Sequence, residues 1–437
     1  MGNPENRYKV VNKVEVNMVG ITTEKVAVTG YGLIVRNHDC PNNLFNSLME
    51  KKSLICEDEL LRKYGINNIP SAKLTSIDID RLHNQFRTTG QSSNNLVLLM
   101  AYCAGVNSLQ MAGLTHKKLR QYKCELFFAN NKLFIDNDAL SHYFNGNKLS
   151  TEYIDIEHLG ALMRPYEIAE KLIEHFHILG QPGVYSDACT AGMVALYSAY
   201  LSIKTGRTNI ALVGASEEAT HPIVQILFNK IGALYNGNFT ELNQSSRAFD
   251  KDRAGCVMAD ASAFLVVENY SHAIARKAKI LAEIAGMSRK SEGYKMTSTD
   301  LSGQYYRDCM SSALKDAELL PEDIDHINSH GTSTANNDLA ESKAINALFP
   351  HNPPVISTKS AIGHSLAASG LLEAILSIES LNNNRLLPSL NFSELGKFDG
   401  LINVNSTAKE MHTRHILSNS FGFGGENSSL ILKRTEG

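Results

Sequence analysis

The chain has 437 residues, more than one ordinary hydrophobic core accommodates, so we expect two domains or two fused halves. Its 42 basic and 45 acidic residues nearly balance, which gives no electrostatic reason to expect a nucleic-acid partner. Seven scattered cysteines form no CxxC pair, so neither a zinc knuckle nor a disulfide framework is indicated. This cysteine usage is typical of a reducing compartment.

Residues 1–24 precede the first predicted strand and are interpreted as an N-terminal extension. They mix charges and lack the apolar run of a signal peptide. Asn6 stands where the myristoylation pattern requires Ser or Thr. Since no uninterrupted apolar stretch reaches membrane-spanning length, the sequence predicts a cytoplasmic protein without a membrane span.

The next part of the chain alternates predicted strands and helices. Residues 25–34 (KVAVTGYGLI) indicate a buried strand that runs into a glycine turn. Residues 94–114 have the apolar density of a buried helix. Residues 208–219 and 262–270 are rich in β-branched side chains and predict strands.

The chain then repeats this mixture after a link at residues 276–283. The pattern predicts a strand at 280–288, a helix at 311–320, strands at 324–331 and 353–360, a helix at 367–381, and two closing strands around a glycine turn at 415–434. Strands alternating with helices indicate a layered α/β architecture with buried sheets. We therefore predict two copies of one such unit, residues 25–275 and 276–437.

Cys189 is the first candidate for chemistry. It lies in VYSDACTAGMVALYSAYLSI, residues 184–203, between small residues and just before the predicted helix Met193–Ile203. Free N–H groups and the helix dipole at such a position favour a thiolate and lower its pKa. They also donate to a developing oxyanion. For any single cysteine, however, a buried structural role is the commoner alternative.

Two histidines in the second half occupy similar positions. His330 ends the predicted strand IDHINSH, and His364 precedes a helix in STKSAIGHSLAASG. Each taken singly is more often a satisfied core histidine. Because both lie at helix-entry turns beside Gly and Ser or Thr, we predict that they face a cavity and serve Cys189 as catalytic partners.

Charged residues accompany these histidines. Lys359 follows an apolar strand, so we expect it to be buried and paired with Glu341, which shares a helix with Asp338. A surface ion pair of little energetic value is the alternative. The glycine-rich turn NSFGFGG, residues 419–425, matches neither a GxGxxG nor a Walker pattern.

The ordered motifs DACTAG, HGTSTxxxDxxE, TKSxxGHSLAASG and NSFGFGG resemble those of the β-ketoacyl synthases, the condensing enzymes of fatty acid and polyketide assembly. The similarity is closest to the elongating branch and runs from about Lys25 to Lys433. RAFDKDRAG and YKMTST fall in family order as well. The resemblance implies the thiolase fold, a five-layer α/β/α/β/α sandwich of two similar halves, normally dimeric.

The resemblance also implies a mechanism. Cys189 would accept an acyl group from a thioester on a phosphopantetheine arm. His330 and His364 would then promote decarboxylation of a malonyl thioester, whose carbanion attacks the acyl-cysteine. The N–H groups of Cys189 and Phe423 would form the oxyanion hole, with Phe423 as the gate to the acyl pocket. Lys359 would orient the second histidine.

Supporting roles are implied for other residues of these motifs. Thr332 and Thr334 match hydroxyls that contact pantetheine, and Glu341 and Asp338 are supporting acids. No metal or redox cofactor is implied. The expected partners are an acyl carrier protein and a second subunit, which makes either a homodimer or a heterodimer with a related ketosynthase-like chain. The basic run 116–123 is a candidate carrier contact, although a solvated helix face is the bland alternative.

Some positions depart from the family pattern. ADASA stands at residues 259–263 in place of GEGAG, Lys295 replaces a histidine, and Ala335 replaces a proline. The segment at 150–180 and the strand at 125–135 also differ from the family's usual runs. These departures favour specialised polyketide- or polyene-type biosynthesis over primary fatty acid synthesis.

Other functions stay open at this point. A thiolase-fold acyltransferase, a malonyl decarboxylase or one subunit of a ketosynthase heterodimer would keep the fold and change the reaction. A cysteine hydrolase would leave the second histidine and the NSFGFGG turn unexplained. A scaffold protein would not need the intact set of Cys189, His330, Lys359 and His364.

Overall fold

The computed structural model describes residues 24–63, 68–131, 144–145, 148–149, 166–180, 182–397 and 401–435. Residues 1–23 of the predicted extension lie outside the described residues, as does 150–165 of the divergent segment.

The strands of the described residues are, in chain order, β1 (Val26–Val35), β2 (Cys56–Glu57), β3 (Pro70–Ala72), β4 (Glu125–Ala129), β5 (Phe144–Asn145), β6 (Lys148–Leu149), β7 (Gly183–Tyr185), β8 (Ile210–Glu218), β9 (Met258–Asn269), β10 (Ala282–Ser291), β11 (His326–Asn328), β12 (Pro354–Ile356), β13 (Arg385–Leu386), β14 (Asn403–Val404), β15 (Lys409–Glu410), β16 (His415–Phe421) and β17 (Glu426–Lys433).

The α-helices of the same residues are α1 (Pro41–Met49), α2 (Glu59–Lys63), α3 (Ser76–Arg87), α4 (Leu96–Met111), α5 (His116–Tyr122), α6 (Glu167–Phe176), α7 (Ala191–Lys204), α8 (Pro222–Lys230), α9 (Tyr270–Ala275), α10 (Gln304–Asp316), α11 (Ala335–Leu348), α12 (Lys359–Ile362) and α13 (Ser369–Asn383). Short 3₁₀ turns lie at Ala188–Thr190, Leu242–Gln244, Pro321–Asp323 and Leu366–Ala368.

The strand order repeats in the two parts of the chain. In the first part it is β7-β4-β8-β9-β1, and in the second it is β14-β12-β11-β16-β17-β10. In each part the outer strands are parallel, and the last two run antiparallel to their neighbours. Antiparallel pairing of β1 with β10, with Val26 opposite Ile284, joins the two half-sheets. The predicted construction from two similar halves is confirmed.

Helices cover the outer faces of the two half-sheets and also pack between them, so that helices and sheets together form five layers. α4 packs on β1, β8 and β9, with α3 and α6 beside it. α7 and α13 pack between the two half-sheets, because α7 touches β8 and β10 while α13 touches β9 and β16. α10 covers β10 and β17 and packs on α11. This order gives the α/β/α/β/α sandwich that the family resemblance implies.

The close contact of α4 with β1 depends on two glycines. A Cβ at Gly30 would lie 2.4 Å from the carbonyl oxygen of Ser108, and one at Gly32 would lie 2.2 Å from that of Ala104. Neither position leaves room for a side chain. Every residue of β1 is buried, as its near-continuous apolar sequence predicted. Such a sequence is typical of a strand that is covered on both faces.

The predicted glycine turn in residues 25–34 is wrong, because Gly30 and Gly32 lie inside β1, which continues to Val35. The remaining predicted elements agree with the structure to within a few residues. The helix predicted at 311–320 differs most: it begins at Gln304, directly after Gly303, and ends at Asp316. Gly303 has a φ of +74°, which only glycine adopts readily, so the chain turns there before the helix starts. Among the described residues no single helix has the length and apolarity to cross a membrane, although the bent pair α4 and α5 meets those two criteria jointly.

Candidate active site

A chamber of about 200 Å³ lies where the two halves meet, and its lining includes Cys189, His330, His364 and Phe423. Residues after the carboxyl ends of β11, β12 and β16 form one side of it. Since parallel strands carry their carboxyl ends to the same edge of a sheet, residues far apart in sequence converge there. The first half contributes Cys189, which follows β7.

Cys189 lies on a tight turn between strand and helix. It is in the 3₁₀ turn Ala188–Thr190, immediately before α7. Ala188 has a φ of +51°, a left-handed conformation that non-glycine residues rarely adopt. The carbonyl of Ala188 accepts a hydrogen bond of 2.7 Å from the Asn131 amide, and the Ser420 hydroxyl donates to the Cys189 carbonyl at 3.1 Å. The turn is therefore held from both halves.

The thiol of Cys189 contacts one histidine directly. His364 Nε2 lies 3.2 Å from Cys189 Sγ. Burial raises the pKa of the Cys189 thiol to about 12, although Lys359 and the backbone N–H groups of Phe423 and Cys189 favour the thiolate. The expected position at a helix N-terminus is confirmed, but the expected lowering of the pKa is wrong. Desolvation outweighs the helix dipole because the sulfur is almost fully enclosed.

His364 is held in place through its backbone and through its ring. Its backbone pairs with the start of β9, where His364 N–H donates to Val257 O at 2.7 Å. Its Nδ1 lies 2.9 Å from the hydroxyl of Ser369, which also accepts from the backbone N–H of Ser365. A hydroxyl both donates and accepts, so either ring nitrogen of His364 can carry the proton. Burial, followed by Lys359, lowers the pKa of His364 well below its usual value, so the ring is neutral.

His330 has a defined tautomer. Its Nδ1 lies 3.4 Å from Lys359 Nζ, and an ammonium group only donates, so Nδ1 must accept. The proton is therefore on Nε2, and the ring lines the chamber at 5.5 Å from the ring of His364, measured between centroids. Burial and the neighbouring Lys359 lower the pKa of His330 well below its usual value. His330 thus presents a neutral N–H donor.

Lys359 pairs with Glu373, and the expected pair with Glu341 is wrong. Lys359 Nζ lies 2.5 Å from Glu373 Oε1, and both side chains are at most 1% exposed. α13 carries Glu373 through the layer between the two half-sheets, directly against the start of α12, which contains Lys359. Burial raises the pKa of Glu373 to about 7, while Lys359 opposes that rise.

Glu341 instead holds the loop that carries His330. Its carboxylate accepts from the backbone N–H groups of His330 at 2.8 Å and Gly331 at 2.9 Å. The Asn419 amide donates to it at 3.1 Å. These three hydrogen-bond partners are all donors, so a carboxylate, which only accepts, suits this position. Burial raises the pKa of Glu341 to about 7.

Asp338 lies one turn earlier on α11 and connects the two halves. It accepts a 2.8 Å hydrogen bond from the backbone N–H of Phe249, and Arg253 Nε lies 3.7 Å from its carboxylate. Phe249 and Arg253 belong to RAFDKDRAG, so Asp338 fixes that segment beside the chamber. Among the described residues Asp338 makes no hydrogen bond with Cys189. Burial raises its pKa despite the charge of Arg253.

The remaining predicted site residues are Thr332, Thr334 and Phe423, and all three line the chamber. The hydroxyl oxygens of Thr332 and Thr334 lie 2.8 Å apart. The ring of Phe423 packs on Phe228 with 5.9 Å between centroids, and its backbone N–H points at Cys189. The basic run 116–123 is different: it forms α5 with exposed charges and does not line the chamber.

The sequence interpretation missed several residues of the site. Glu373 was detectable, because it is an acid among apolar neighbours on the helix predicted at 367–381. Tyr306 lines the chamber and stacks on Phe421 with 3.7 Å between ring centroids. Its hydroxyl donates to Asn337 at 3.2 Å. No sequence signal distinguishes Tyr306 from an ordinary core aromatic.

The three reactive side chains also satisfy the distance criterion for metal ligands. Cys189 Sγ and one ring nitrogen each of His330 and His364 lie within 4.8 Å of one another. They are the sole such cluster in the part of the chain that the structure describes. A zinc ion would need the Cys189 thiol to lose its proton, and burial opposes that loss.

Comparison with known protein families gives two matches that together span most of the chain. The model of the β-ketoacyl synthase N-terminal domain matches residues 23–273. The model of the β-ketoacyl synthase C-terminal domain matches residues 281–393.

Curated relatives are similar over part of their length. A 3-oxoacyl-[acyl-carrier-protein] synthase 2 of Coxiella burnetii is 37% identical over 250 residues, 56% of this chain and 60% of the relative. A 3-oxoacyl-[acyl-carrier-protein] synthase 1 of Haemophilus influenzae is 38% identical over 254 residues, 58% of this chain and 61% of the relative. The aligned part therefore spans less than two thirds of the relatives it matches.

Solved structures share the fold along almost the whole chain. A β-ketoacyl synthase of Burkholderia phymatum superposes with a TM-score of 0.82 at 27% identity, covering 94% of this chain and 100% of that one. A type II polyketide ketosynthase, solved in complex with its acyl-carrier protein and bound to the hexaketide, gives 0.84 at 24% identity and covers 95% of this chain and 100% of its own. The second likeness concerns the fold alone.

Proposed function

Because the chain belongs to the β-ketoacyl synthase family, we propose that it catalyses a decarboxylative Claisen condensation. An acyl group held on Cys189 would combine with a malonyl thioester delivered by an acyl carrier protein. One observation carries the proposal: a buried thiol contacts one neutral histidine while a second presents an N–H into the same chamber. A condensation uses both, since it has one step that moves a thiol proton and another that develops an enolate.

The first stage is acyl transfer to Cys189. With its proton on Nδ1, His364 accepts the thiol proton at Nε2 as Sγ attacks the carbonyl of the incoming acyl thioester. The backbone N–H groups of Cys189 and Phe423 stabilise the tetrahedral oxyanion. The carbon–sulfur bond to the carrier then breaks, and His364 returns the proton to the departing pantetheine thiol. The acyl group is left on Sγ.

The second stage is decarboxylation and condensation. The bond between the malonyl carboxylate and its methylene carbon breaks, releasing carbon dioxide and leaving an enolate. His330 Nε2–H donates to the enolate oxygen. His364 adds a second N–H after its proton has moved from Nδ1 to Nε2 by exchange with solvent, and the Ser369 hydroxyl then donates to Nδ1. The carbanion attacks the acyl carbonyl on Cys189. Sγ leaves as a thiolate and takes the proton from His364 Nε2 while Nδ1 gains one from solvent, so the condensation consumes one proton overall, and the carrier holds a β-ketoacyl chain.

Other residues position these groups. Lys359, neutralised by Glu373, fixes the His330 tautomer, and Glu341 fixes its backbone. Thr332 and Thr334, which line the chamber, would contact the pantetheine arm, and Phe423, whose ring packs on Phe228, would be the gate to the acyl pocket. The substrates arrive on phosphopantetheine, and the reaction as written uses no metal or redox group.

The assembly around this site is also part of the proposal. We assign residues 1–24 to an N-terminal extension, 25–275 to the half that carries Cys189 and 276–437 to the half that carries the histidines, a division supported by the repeated strand order. The chain would act as a homodimer or beside a related ketosynthase-like chain. Its seven free cysteines are consistent with the cytoplasm. The departures from the family pattern favour specialised polyketide biosynthesis.

The test is intact-mass analysis of the protein with acyl carriers, followed by malonyl carrier. An acyl adduct that is absent in Cys189→Ala and retained in Cys124→Ala, then a carrier product longer by one ketide unit, supports the synthase. Cys124 is a matched control because it is buried and does not line the chamber. An adduct that only transfers, or carbon dioxide without elongation, contradicts the proposal and indicates an acyltransferase or a malonyl decarboxylase.

A further inference from the structure

Strand β4 ends beside the turn that carries Cys189. β4 lies between β7 and β8 and is parallel to both, with Ala129 opposite Tyr185 on one side and Ala215 on the other. Since Cys189 follows β7, the residues after the carboxyl end of β4 lie at the same edge of the sheet as the nucleophile. They belong to the segment 125–135, which departs from the family's usual run, so their role does not carry over from the family pattern.

Asn131 connects this edge of the sheet to the turn by two hydrogen bonds. Its side-chain Nδ2 donates to the carbonyl oxygen of Ala188 at 2.7 Å. A carbonyl oxygen only accepts, so the nitrogen end of the amide must face Ala188. The backbone N–H of Asn131 donates to Oε2 of the buried Glu217 on β8 at 3.1 Å. Asn131 is therefore held by β8 at its backbone while its amide holds the turn.

The carbonyl of Ala188 and the N–H of Cys189 belong to one planar peptide unit. A hydrogen bond to the oxygen end of this unit therefore fixes the direction in which its N–H end points. The N–H groups of Cys189 and Phe423 both favour the Cys189 thiolate, so both face the sulfur. A donor on the carbonyl also polarises the peptide unit, which makes its N–H a stronger donor.

The turn needs support because Ala188 is in a strained conformation. Its φ is +51°, and strain of this kind persists only where the surroundings enforce it. From the second half, the Ser420 hydroxyl donates to the Cys189 carbonyl at 3.1 Å. From the first half, Asn131 supports the turn at the peptide unit that carries the Cys189 N–H.

We propose that Asn131 is a positioning residue for acyl transfer: through the carbonyl of Ala188 it orients and polarises the Cys189 N–H toward the oxyanion. The inference rests on the proposed function and deepens it, because that function assigns the Cys189 N–H to the oxyanion hole. Asn131 is not among the residues that line the chamber, so it acts through the peptide unit and not on the substrate.

The first experiment compares two reactions of Cys189 that differ in their need for an oxyanion hole. Acyl transfer from a carrier forms a tetrahedral oxyanion, whereas alkylation by iodoacetamide displaces iodide at a methylene carbon and forms none. Asn131→Ala should slow acyl transfer about tenfold to hundredfold, the effect of a misplaced donor, and should leave alkylation close to the wild-type rate. The fall should appear in the maximal rate of acyl transfer, with KM for the carrier nearly unchanged, because the lost interaction belongs to the transition state.

Asn130→Ala is the matched control. The Asn130 amide also donates to a backbone carbonyl at 2.7 Å, but its acceptor is Ser216 on β8 and not the turn. This variant loses one hydrogen bond at the same strand end and should keep the wild-type ratio of acyl transfer to alkylation. An equal fall of that ratio in both variants, or an unchanged ratio in folded Asn131→Ala, overturns the proposal.

A second variant covers the case in which Asn131→Ala does not fold. Asn131→Asp keeps the shape of the side chain, but an ionised carboxylate cannot donate to the Ala188 carbonyl. At neutral pH the ratio of acyl transfer to alkylation should fall at least as far as about tenfold, because the carboxylate also repels that oxygen. A wild-type ratio in this variant would mean that the hydrogen bond to Ala188 does not serve acyl transfer, and the proposal would be wrong.

A small thioester separates this inference from the proposed function. S-acetyl-N-acetylcysteamine acylates a reactive thiol without a carrier or a condensation step. Slower acylation by this thioester in Asn131→Ala, with normal alkylation, supports the inference even if no carrier is elongated. If the wild type elongates a carrier and Asn131→Ala is acylated just as fast, the synthase survives and the positioning role fails. If neither the carrier nor the thioester acylates Cys189 in the wild type, both proposals fail.

Discussion

Nζ of Lys359 lies 2.5 Å from Oε1 of Glu373, and both side chains are enclosed between the two half-sheets. The same Nζ lies 3.4 Å from Nδ1 of His330, so one buried charge pair determines which nitrogen of that histidine carries the proton. In the described part of the chain Glu373 makes no hydrogen bond with either histidine. In the proposed reaction it would therefore act through Lys359, as a positioning residue.

The first prediction concerns this charge pair. Glu373→Gln leaves the Lys359 ammonium buried without a counter-charge, and it should lower the free energy of unfolding by about 3–5 kcal/mol. Urea unfolding of the two proteins measures the difference. The double variant Glu373→Gln/Lys359→Met removes the unpaired charge and should recover a large part of the loss. A double variant as unstable as the sum of its single variants would contradict this account.

The second prediction separates the two histidines. His364→Ala removes the group in contact with Cys189 Sγ and should slow acyl transfer by about a hundredfold to ten-thousandfold. His330→Ala should slow release of carbon dioxide from malonyl carrier more than it slows acyl transfer, because the histidine within hydrogen-bond distance of Sγ is His364. His330→Gln keeps an N–H donor and should recover part of the decarboxylation rate.

Adduct mass and carbon dioxide release report the two steps independently in these histidine variants. If His330→Ala slows acyl transfer as strongly as His364→Ala does, the division of roles between the two residues is wrong.

Much of this site could be predicted from the sequence, because its reactive residues lie in turns of small residues that follow apolar strands. Cys189, His330 and His364 are all of this kind. The partner of Lys359 could not be predicted. Glu341 and Glu373 are both acids on largely buried helices, and only the packing of α13 between the half-sheets decides which carboxylate reaches the ammonium. The prediction of a lowered pKa for Cys189 was wrong for a related reason, since the local sequence shows the helix N-terminus but not the depth of burial.

The third prediction concerns pH. A thiol with a pKa of about 12 is almost entirely protonated at neutral pH, so its thiolate fraction rises as the pH rises. Alkylation of Cys189 by iodoacetamide should therefore increase about tenfold per pH unit between neutral and mildly alkaline pH, without a plateau. Peptide mass spectrometry after short exposures gives the rate, and Cys189→Ala identifies labelling of other cysteines. A plateau near neutral pH would instead indicate a resting thiolate paired with a charged His364.

The fourth prediction concerns the loop that carries His330. Gly331 has a φ of +38°, and a Cβ there would lie 2.7 Å from Ser329 Oγ and from Ser357 Cβ. Gly206 has a φ of +71° with no atom within 4 Å of such a Cβ, so it is a matched control for backbone strain alone. Gly206→Ala should lower the free energy of unfolding by about 1–2 kcal/mol. Gly331→Ala should lower it further and also reduce turnover.

Gly331→Ala should reduce turnover because the clash of the new Cβ with Ser329 and Ser357 is relieved only if the loop shifts. That shift moves the Gly331 N–H away from Glu341, which it contacts at 2.9 Å, and moves the adjacent His330 with it. Urea unfolding and the rate of elongation on malonyl carrier measure the two effects separately. Decarboxylation should fall more than acyl transfer, because the moved residue, His330, is the proposed donor to the enolate and not the histidine that contacts Cys189. Equal stability losses in the two variants, with full turnover in Gly331→Ala, would mean that the loop tolerates the shift and that Glu341 does not fix His330.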